Sequence, residues 1–274
     1  RIKQRIKVMP ELPEVETIKR ELEKKLLDKK IIGLKVNNPK VIKEPAPSEF
    51  KNQIINEKIK KITRRGKLLI IELKKDKFLI IHLRITGWLR YGKEETKARV
   101  LFKLSDGNFL NYMDSRLLGH LRLREAYKDL NFLKKLGPEI FELTAKQFKQ
   151  MLKQKKGNIK ALIMNQSFIA GVGNIYAQEA LFLAKIDPRR TAPSLTVKEK
   201  DKLYKELKAV LAEAIEYRGS SVDSYRNLEG QAGGMEKRLK VYGKKNQPCP
   251  TCKKLLKKTT IAGRGTCFCP NCQK

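Results

Sequence analysis

No run of apolar residues in this chain approaches the roughly 18 that a membrane-crossing helix needs. The basic opening from Arg1 to Lys7 is not followed by an apolar segment, which excludes a secretory signal peptide. Cysteine is absent from the first 248 residues, and all five lie beyond that point. That distribution does not suit a secreted disulfide scaffold, so an intracellular, cytoplasmic protein is the simplest expectation. Acidic residues are scarce beside basic ones: 29 Asp and Glu against 62 Lys and Arg, a formal net charge of +33. A surplus of that size points to a polyanionic partner, because counterion release from nucleic acid is the usual source of such affinity. A solvated basic face is the other reading. Internal repeats are missing, as are low-complexity tracts other than Lys-rich patches. Nothing in the sequence indicates an oligomer interface, and a monomer is expected.

What is present suggests an α+β chain of several domains. Its 274 residues are enough for about two domains and a small module, and a hydrophobic content of 41% supports real cores. The chain opens on Arg rather than Met, so residues 1–9 are a possible extension. Either Met9 is the true start, or the residues before it are genuine. Val15, Ile18, Leu22 and Leu26 recur at helical spacing and predict a helix from about Glu14. Short runs rich in Ile, Leu, Val and Phe follow at 31–36, 59–63, 67–73, 78–83, 99–104 and 109–112. Ser105-Asp-Gly-Asn108 reads as a tight hairpin between two of them. Short strands without intervening helices predict a β-sandwich, giving a first domain over 10–136.

Leu136-Gly-Pro-Glu139 breaks the pattern, and the period becomes helical over 143–154, 159–164, 174–185 and 196–217. Thr196 with Glu199 forms a capping-box signature. A helical domain over 137–240 is expected, with the Gly- and Ser-rich stretch 219–234 as a long mobile loop. The tail, 241–274, carries two Cys-x-x-Cys knuckles, Cys249/Cys252 and Cys269/Cys272, with 16 residues between Cys252 and Cys269. That spacing offers four thiolates to one tetrahedral Zn2+, closed at four ligands and therefore structural; two disulfides are the competing reading. Between the knuckles, Ala262-Gly-Arg-Gly-Thr266 suits a hairpin tip that brings Arg264 to a backbone phosphate. Gly171-Val-Gly-Asn-Ile-Tyr-Ala177 lies between two helices, where N–H groups at a helix start attract phosphate and Asn174 could add a donor. A plain interhelix turn fits it equally.

The stretch after Met9, Pro10-Glu-Leu-Pro-Glu-Val-Glu-Thr17, is chemically unusual. Removal of an initiator Met would leave Pro10 with a secondary amine, a nucleophile that becomes a cationic iminium on attacking a sugar C1′. Glu11 would sit beside it as an acid or base. Helix capping explains the same residues, since Pro and acidic groups favour a first turn. With residues 1–8 attached, the Pro10 nitrogen would be a tertiary amide and inert.

Taken together, these segments resemble the bacterial formamidopyrimidine-DNA glycosylases and their endonuclease VIII-type relatives. The resemblance runs from Met9 to Lys274. It rests on Pro10–Thr17, Arg65-Gly-Lys67, His82-Leu-Arg-Ile-Thr-Gly87, Gly171–Ala177 and the tail ending Cys269-Pro-Asn-Cys-Gln273. It implies a base-excision-repair enzyme with a β-sandwich domain, a helix-two-turn-helix domain and a β-hairpin zinc finger. Its partner would be damaged double-stranded DNA, whose oxidised purine is flipped out before excision and strand cleavage by β,δ-elimination. By motif match Pro10 is the nucleophile, Glu11 the acid–base partner, Glu14 a supporting carboxylate and Lys67 the catalytic lysine. His82, Lys160, Asn174 and Arg264 would contact phosphates.

The chain departs from the pattern at the side chains that fill the hole left by the flipped base. Ile85 stands where relatives carry Met. Arg116 is kept, but Leu117 replaces a basic residue and Leu118 replaces Phe. An apolar wedge can still unstack a step, though Leu cannot stack as an aromatic ring does. The competing functions are an oxidised-pyrimidine glycosylase of the endonuclease VIII type and a catalytically inactive binder of damaged DNA.

Overall fold

The computed structural model describes residues 9–127, 130–222 and 225–274. The possible extension before Met9 lies outside them, as do positions 223 and 224 of the expected loop. The chain forms two compact units. One runs to Lys134 and takes in Tyr217–Gly234; the other is Lys135–Glu216 with Met235–Lys274.

The first unit begins with α1 (Leu12–Leu26), whose Leu12, Val15, Ile18, Leu22 and Leu26 form one buried stripe. β1 (Ile31–Val36), β2 (Ile42–Glu44), α2 (Pro47–Ile54), β3 (Ile59–Arg65), β4 (Leu68–Leu73) and β5 (Phe78–His82) follow. Then come β6 (Gly87–Gly92), β7 (Val100–Leu104), β8 (Phe109–Asp114), β9 (His120–Arg124) and the short α3 (Asn131–Lys134). Two sheets result, one ordered β1-β7-β8-β6 and the other β2-β9-β5-β4-β3. β2 and β9 run parallel and the other pairs are antiparallel. Leu34, Phe102 and Tyr112 of the first sheet share one core with Ile62, Leu69, Ile81 and Leu121 of the second, and with Val15 and Leu22 of α1. This is the expected sandwich. The expected strand at 31–36 matches β1 residue for residue, whereas β2, β6, β9 and α2 were not anticipated.

The second unit packs α4 (Ala145–Lys153), α5 (Ile159–Met164), α6 (Asn174–Leu183) and α7 (Val197–Glu216), with the hairpin β10 (Lys257–Ile261) and β11 (Arg264–Phe268) against α6. Helix α6 is buried on nearly every side, from Ile175 to Phe182. The capping box before α7 forms as expected: Thr196 N–H donates to Glu199 Oε2 at 2.7 Å, and Glu199 N–H to Thr196 Oγ1 at 3.2 Å. Among the described residues, no helix is long and apolar enough to cross a membrane.

Candidate active site and nucleic-acid interface

In the first unit the start of α1 gathers three of the predicted groups. Pro10 is buried, and Glu11 and Glu14 are 1% and 2% exposed. Glu11 is the N-cap of α1, and its N–H donates to Glu14 Oε2 at 2.8 Å. Glu14 therefore does cap the helix. Its other oxygen, Oε1, accepts from Ser220 N–H at 2.8 Å. One carboxylate thus holds both the residue beside Pro10 and the stretch that sequence reading took for a mobile loop. Farther along, Glu21 accepts from Leu228 N–H at 2.9 Å and Asn227 Nδ2 at 3.1 Å. Glu14 and Glu21 thus tie described residues of this segment to α1. Gly219 has φ +77°, and a Cβ there would sit 2.8 Å from the Glu14 Cγ and Oε1 atoms. Only glycine can pass so close to that carboxylate in this conformation.

Lys67 occupies the two-residue turn between β3 and β4, where Arg65 pairs with Leu68. Gly66, with φ +57°, makes the turn possible. The hairpin is fastened to α1, because Arg64 Nε donates to Glu16 Oε2 at 3.0 Å while Arg64 Nη1 holds the Gly66 carbonyl at 2.9 Å. Burial pushes the Glu16 carboxyl up, but Arg64 and Arg20 outweigh it and hold the acid below its ordinary range. Lys67 itself is buried.

His82 ends β5 and pairs in register with His120 of β9, their rings 5.3 Å apart and edge to face. Burial pushes His82 down to about 3, aided by the positive charges of Arg84, His120, Lys67 and Arg122. Burial, then Arg122, Arg84 and Lys43, lowers His120 to about 4, against an opposing pull from Glu44. At neutral pH both imidazoles are therefore uncharged. His82 then offers an N–H donor. His120 was not singled out from the sequence, although a second His in a basic strand was the available signal.

The wedge candidates sit in two turns organised by one buried carboxylate. Asp114 accepts from Thr86 Oγ1 at 2.5 Å, Gly119 N–H at 2.7 Å and Arg116 N–H at 3.2 Å. Thr86 follows Ile85, so the turn carrying Ile85 and the turn carrying Arg116 and Leu118 share an anchor. Arg116 is exposed, and Leu118 is 38% exposed despite its apolar side chain. Leu117 takes a left-handed φ of +56° and packs on the core, facing away from the role of a wedge.

The other predicted contacts lie in the second unit. Lys160 is 0% exposed and its Nζ donates to Asn174 Oδ1 at 2.7 Å. The glycine turn before α6 is pinned by Gln166, whose Oε1 accepts from Gly171 N–H at 3.0 Å. The hairpin tip is Ala262-Gly263, both at positive φ (+49° and +68°), which leaves Arg264 as the exposed first residue of β11. Sequence reading missed Gln178 and Glu179. They are buried polar neighbours on an otherwise apolar helix, and that contrast was the available signal. Glu179 accepts the N–H groups of Lys240, Val241 and Tyr242 at 2.7, 3.0 and 2.8 Å; burial still holds its acid above the ordinary value.

The four knuckle cysteines converge. Their Sγ atoms all lie within 4.8 Å of one another, with Cys252–Cys269 at 3.5 Å and Cys249–Cys272 at 3.9 Å. Tetrahedral Zn–S bonds of about 2.3 Å place sulfurs about 3.8 Å apart, so the cluster fits one structural Zn2+. Disulfides would bring pairs of sulfurs to about 2.0 Å.

The chain's segments match three family descriptions in order. They are the formamidopyrimidine-DNA glycosylase N-terminal domain over residues 9–121, the H2TH domain of the same enzymes over 136–226, and a zinc finger found in FPG and IleRS over 246–274. A formamidopyrimidine-DNA glycosylase of Pelotomaculum thermopropionicum is 44% identical, spanning 97% of this chain and 99% of its own. The chain belongs to the formamidopyrimidine-DNA glycosylase family. A relative of that name from Bacillus cereus is 39% identical over the same shares. A Lactococcus lactis FPG mutant, solved with DNA containing Fapy-dG, superposes with a TM-score of 0.89 at 37% identity, covering 97% of this chain and 100% of that one. The MutM (FPG) protein of Thermus thermophilus gives 0.86 at 37% identity, covering 96% and 98%.

Gly219→Ala should cost about 1–2 kcal/mol, from the left-handed φ and the close approach to Glu14, lowering Tm by a few degrees. An unchanged Tm would mean that Glu14 yields without loss. The depressed imidazoles set a pH window. Unfolded His takes up a proton near pH 6.5 while native His82 and His120 do not until about 3 and 4, so stability falls as pH drops from about 6.5 to 4. His120→Gln should flatten that fall by up to about 1 kcal/mol per pH unit. Equal slopes in denaturation curves of the two proteins would refute it.

Proposed function

We propose that this chain is a bifunctional DNA glycosylase and abasic-site lyase that removes oxidised purines from duplex DNA. Pro10, freed of the residues before it, attacks C1′ of the flipped nucleotide. The bond from C1′ to the base breaks, the base leaves, and Glu11 moves protons at the sugar. The Pro10 nitrogen gives up its proton and the C1′–O4′ bond opens, with O4′ protonated by Glu11; the resulting iminium is the electron sink for β- and then δ-elimination, which breaks the strand on both sides. Glu14 holds Glu11 in place, and Lys67 provides a cation on the β3–β4 turn. His82, Lys160, Asn174 and Arg264 take phosphates, while Ile85, Arg116 and Leu118 enter the duplex. The protein acts as a monomer in the cytoplasm of a bacterial-type cell, with its DNA.

The observation that carries this reading is the placement of Glu11 and Glu14 together with Pro10 at the buried start of α1, in a chain whose family match begins at Met9. Relatives solved with DNA containing Fapy-dG or an abasic site support the substrate class.

Borohydride trapping on duplex containing 8-oxoguanine tests the nucleophile. Protein begun at Met9, with that Met removed, should yield a covalent adduct, and protein carrying residues 1–8 should yield none. Adduct from both would exclude Pro10. Adduct from neither, with tight binding by both, would favour an inactive binder. A second outcome concerns the wedge. Leu118→Phe adds a ring whose stacking is worth about 1–3 kcal/mol per base, and at the lower end of that range should raise the preference for lesion over undamaged duplex about fivefold. An unchanged preference would remove Leu118 from lesion search.

A further inference from the structure

We propose that Gln178 is a positioning residue for phosphate binding by the second unit: its one side-chain amide locks Asn174, at the start of α6, to the hairpin that carries Arg264. The inference rests on the reading of Asn174 and Arg264 as phosphate ligands.

Gln178 lies one helical turn after Asn174 and is 2% exposed. Its Oε1 accepts from Cys267 N–H at 2.7 Å. Its Nε2 reaches the Gly265 carbonyl at 3.2 Å, the Asn174 carbonyl at 2.8 Å and Asn174 Oδ1 at 3.0 Å. The Ala262-Gly263 turn closes β10 on β11 through the pair Ile261–Arg264. Alternation along an antiparallel ladder then turns the N–H and C=O of Gly265 and Cys267 away from β10, to the hairpin's outer edge. Gln178 meets that edge as a neighbouring strand would, giving one donor and one acceptor two residues apart.

The amide orientations are fixed by chemistry. Lys160 Nζ can only donate, so Asn174 must present Oδ1 to it, and Gln178 Nε2 shares that oxygen. Asn174 Nδ2 then points to the Gly265 carbonyl at 3.3 Å. Cys267 N–H can only donate, so Gln178 must present Oε1 to it. The Gly265 carbonyl, next in chain to Arg264, is thereby held by two amides from α6. Without Gln178, the Cys267 N–H loses this partner at a buried residue, a loss costlier than the bond itself. The Gly265 carbonyl is then left with Asn174 Nδ2 alone, at 3.3 Å, and Arg264 is held less firmly relative to Asn174.

The test is binding to duplex bearing a tetrahydrofuran abasic-site analogue and to undamaged duplex, measured as Kd against salt concentration. Zinc per chain and Tm are recorded for each protein. Arg264→Ala should weaken binding about tenfold and lower the salt slope by about 1. Gln178→Met, with zinc retained, should do the same, and the double variant should lose little more than either alone. Parent-like binding by Gln178→Met, or losses that multiply in the double variant, would overturn the proposal. So would an Arg264→Ala variant that binds as the parent does. If Gln178→Met fails to keep zinc, Gln178→Glu replaces it, because Glu still accepts from Cys267 N–H but cannot donate to Gly265. Loss of zinc from both would assign Gln178 to the metal fold and end the proposal. Equal parent affinity for the two duplexes would instead count against the repair function, and the coupling would still be read on undamaged DNA.

Discussion

The first unit depends on a carboxylate that serves two backbones. Glu14 accepts one N–H three residues before it and another 206 residues after it. A carboxylate accepting two main-chain N–H groups is a strong, charge-assisted acceptor, and here both bonds are buried. The first fixes Glu11 at the mouth of α1, where Pro10 enters. The second draws Ser220 out of the helical part of the sequence and onto the sandwich. Any displacement of the 217–234 segment must therefore be felt at the residue beside Pro10, and Gly219 is the point at which the two chains come too close for a side chain. The helix-capping and catalytic readings of Pro10–Thr17 are thus not rivals. The cap is what holds the acid in place.

The same device recurs. Asp114 takes the N–H groups of Arg116 and Gly119 and the hydroxyl of Thr86; Glu179 takes three consecutive N–H groups; Gln178 takes Cys267 N–H and returns a donor to Gly265. In each case a buried polar side chain on a regular element satisfies main-chain groups in a loop or hairpin that would otherwise be buried without partners. The loops that carry Ile85, Arg116 and Arg264 are thereby tied to the elements beside them. The N–H groups that each carboxylate receives oppose the cost of desolvation; at Glu179 burial still prevails and holds the acid above its ordinary value.

Much of this was legible in the sequence, and the reasons for the gaps are physical. Strands with dense apolar runs, such as β1 and β4, and the one-sided helices α1 and α7 declare themselves through local pattern. The knuckle cysteines do so through spacing alone. β2 has three residues, too few for a period, and β6 opens on Gly87 and carries Arg90 outward. β9 alternates His, Leu, Arg, Leu, Arg with both leucines buried; its period was present but hidden by basic residues. The anchoring of 217–234 could not be read at all. Its Gly and Ser content describes the local chain, whereas its position is decided by Glu14 and Glu21, some two hundred residues away. Long-range side-chain-to-backbone bonds leave no local period.

The charge of +33 invites the view that binding is electrostatic throughout, yet the candidate contacts divide. Arg264 and Arg116 are exposed cations. His82 is held neutral by burial, aided by the positive charges around it, and Asn174 is a neutral amide under a buried lysine. Exposed cations release counterions and bring affinity that falls with salt. Neutral donors held in fixed directions bring register at little salt dependence. A wedge then needs only to be carried by a rigid frame. Asp114 supplies such a frame through backbone and hydroxyl groups, none of which involves the side chain at position 118. Such a frame would let the side chains at 85, 116 and 118 differ while the turns that carry them stay fixed.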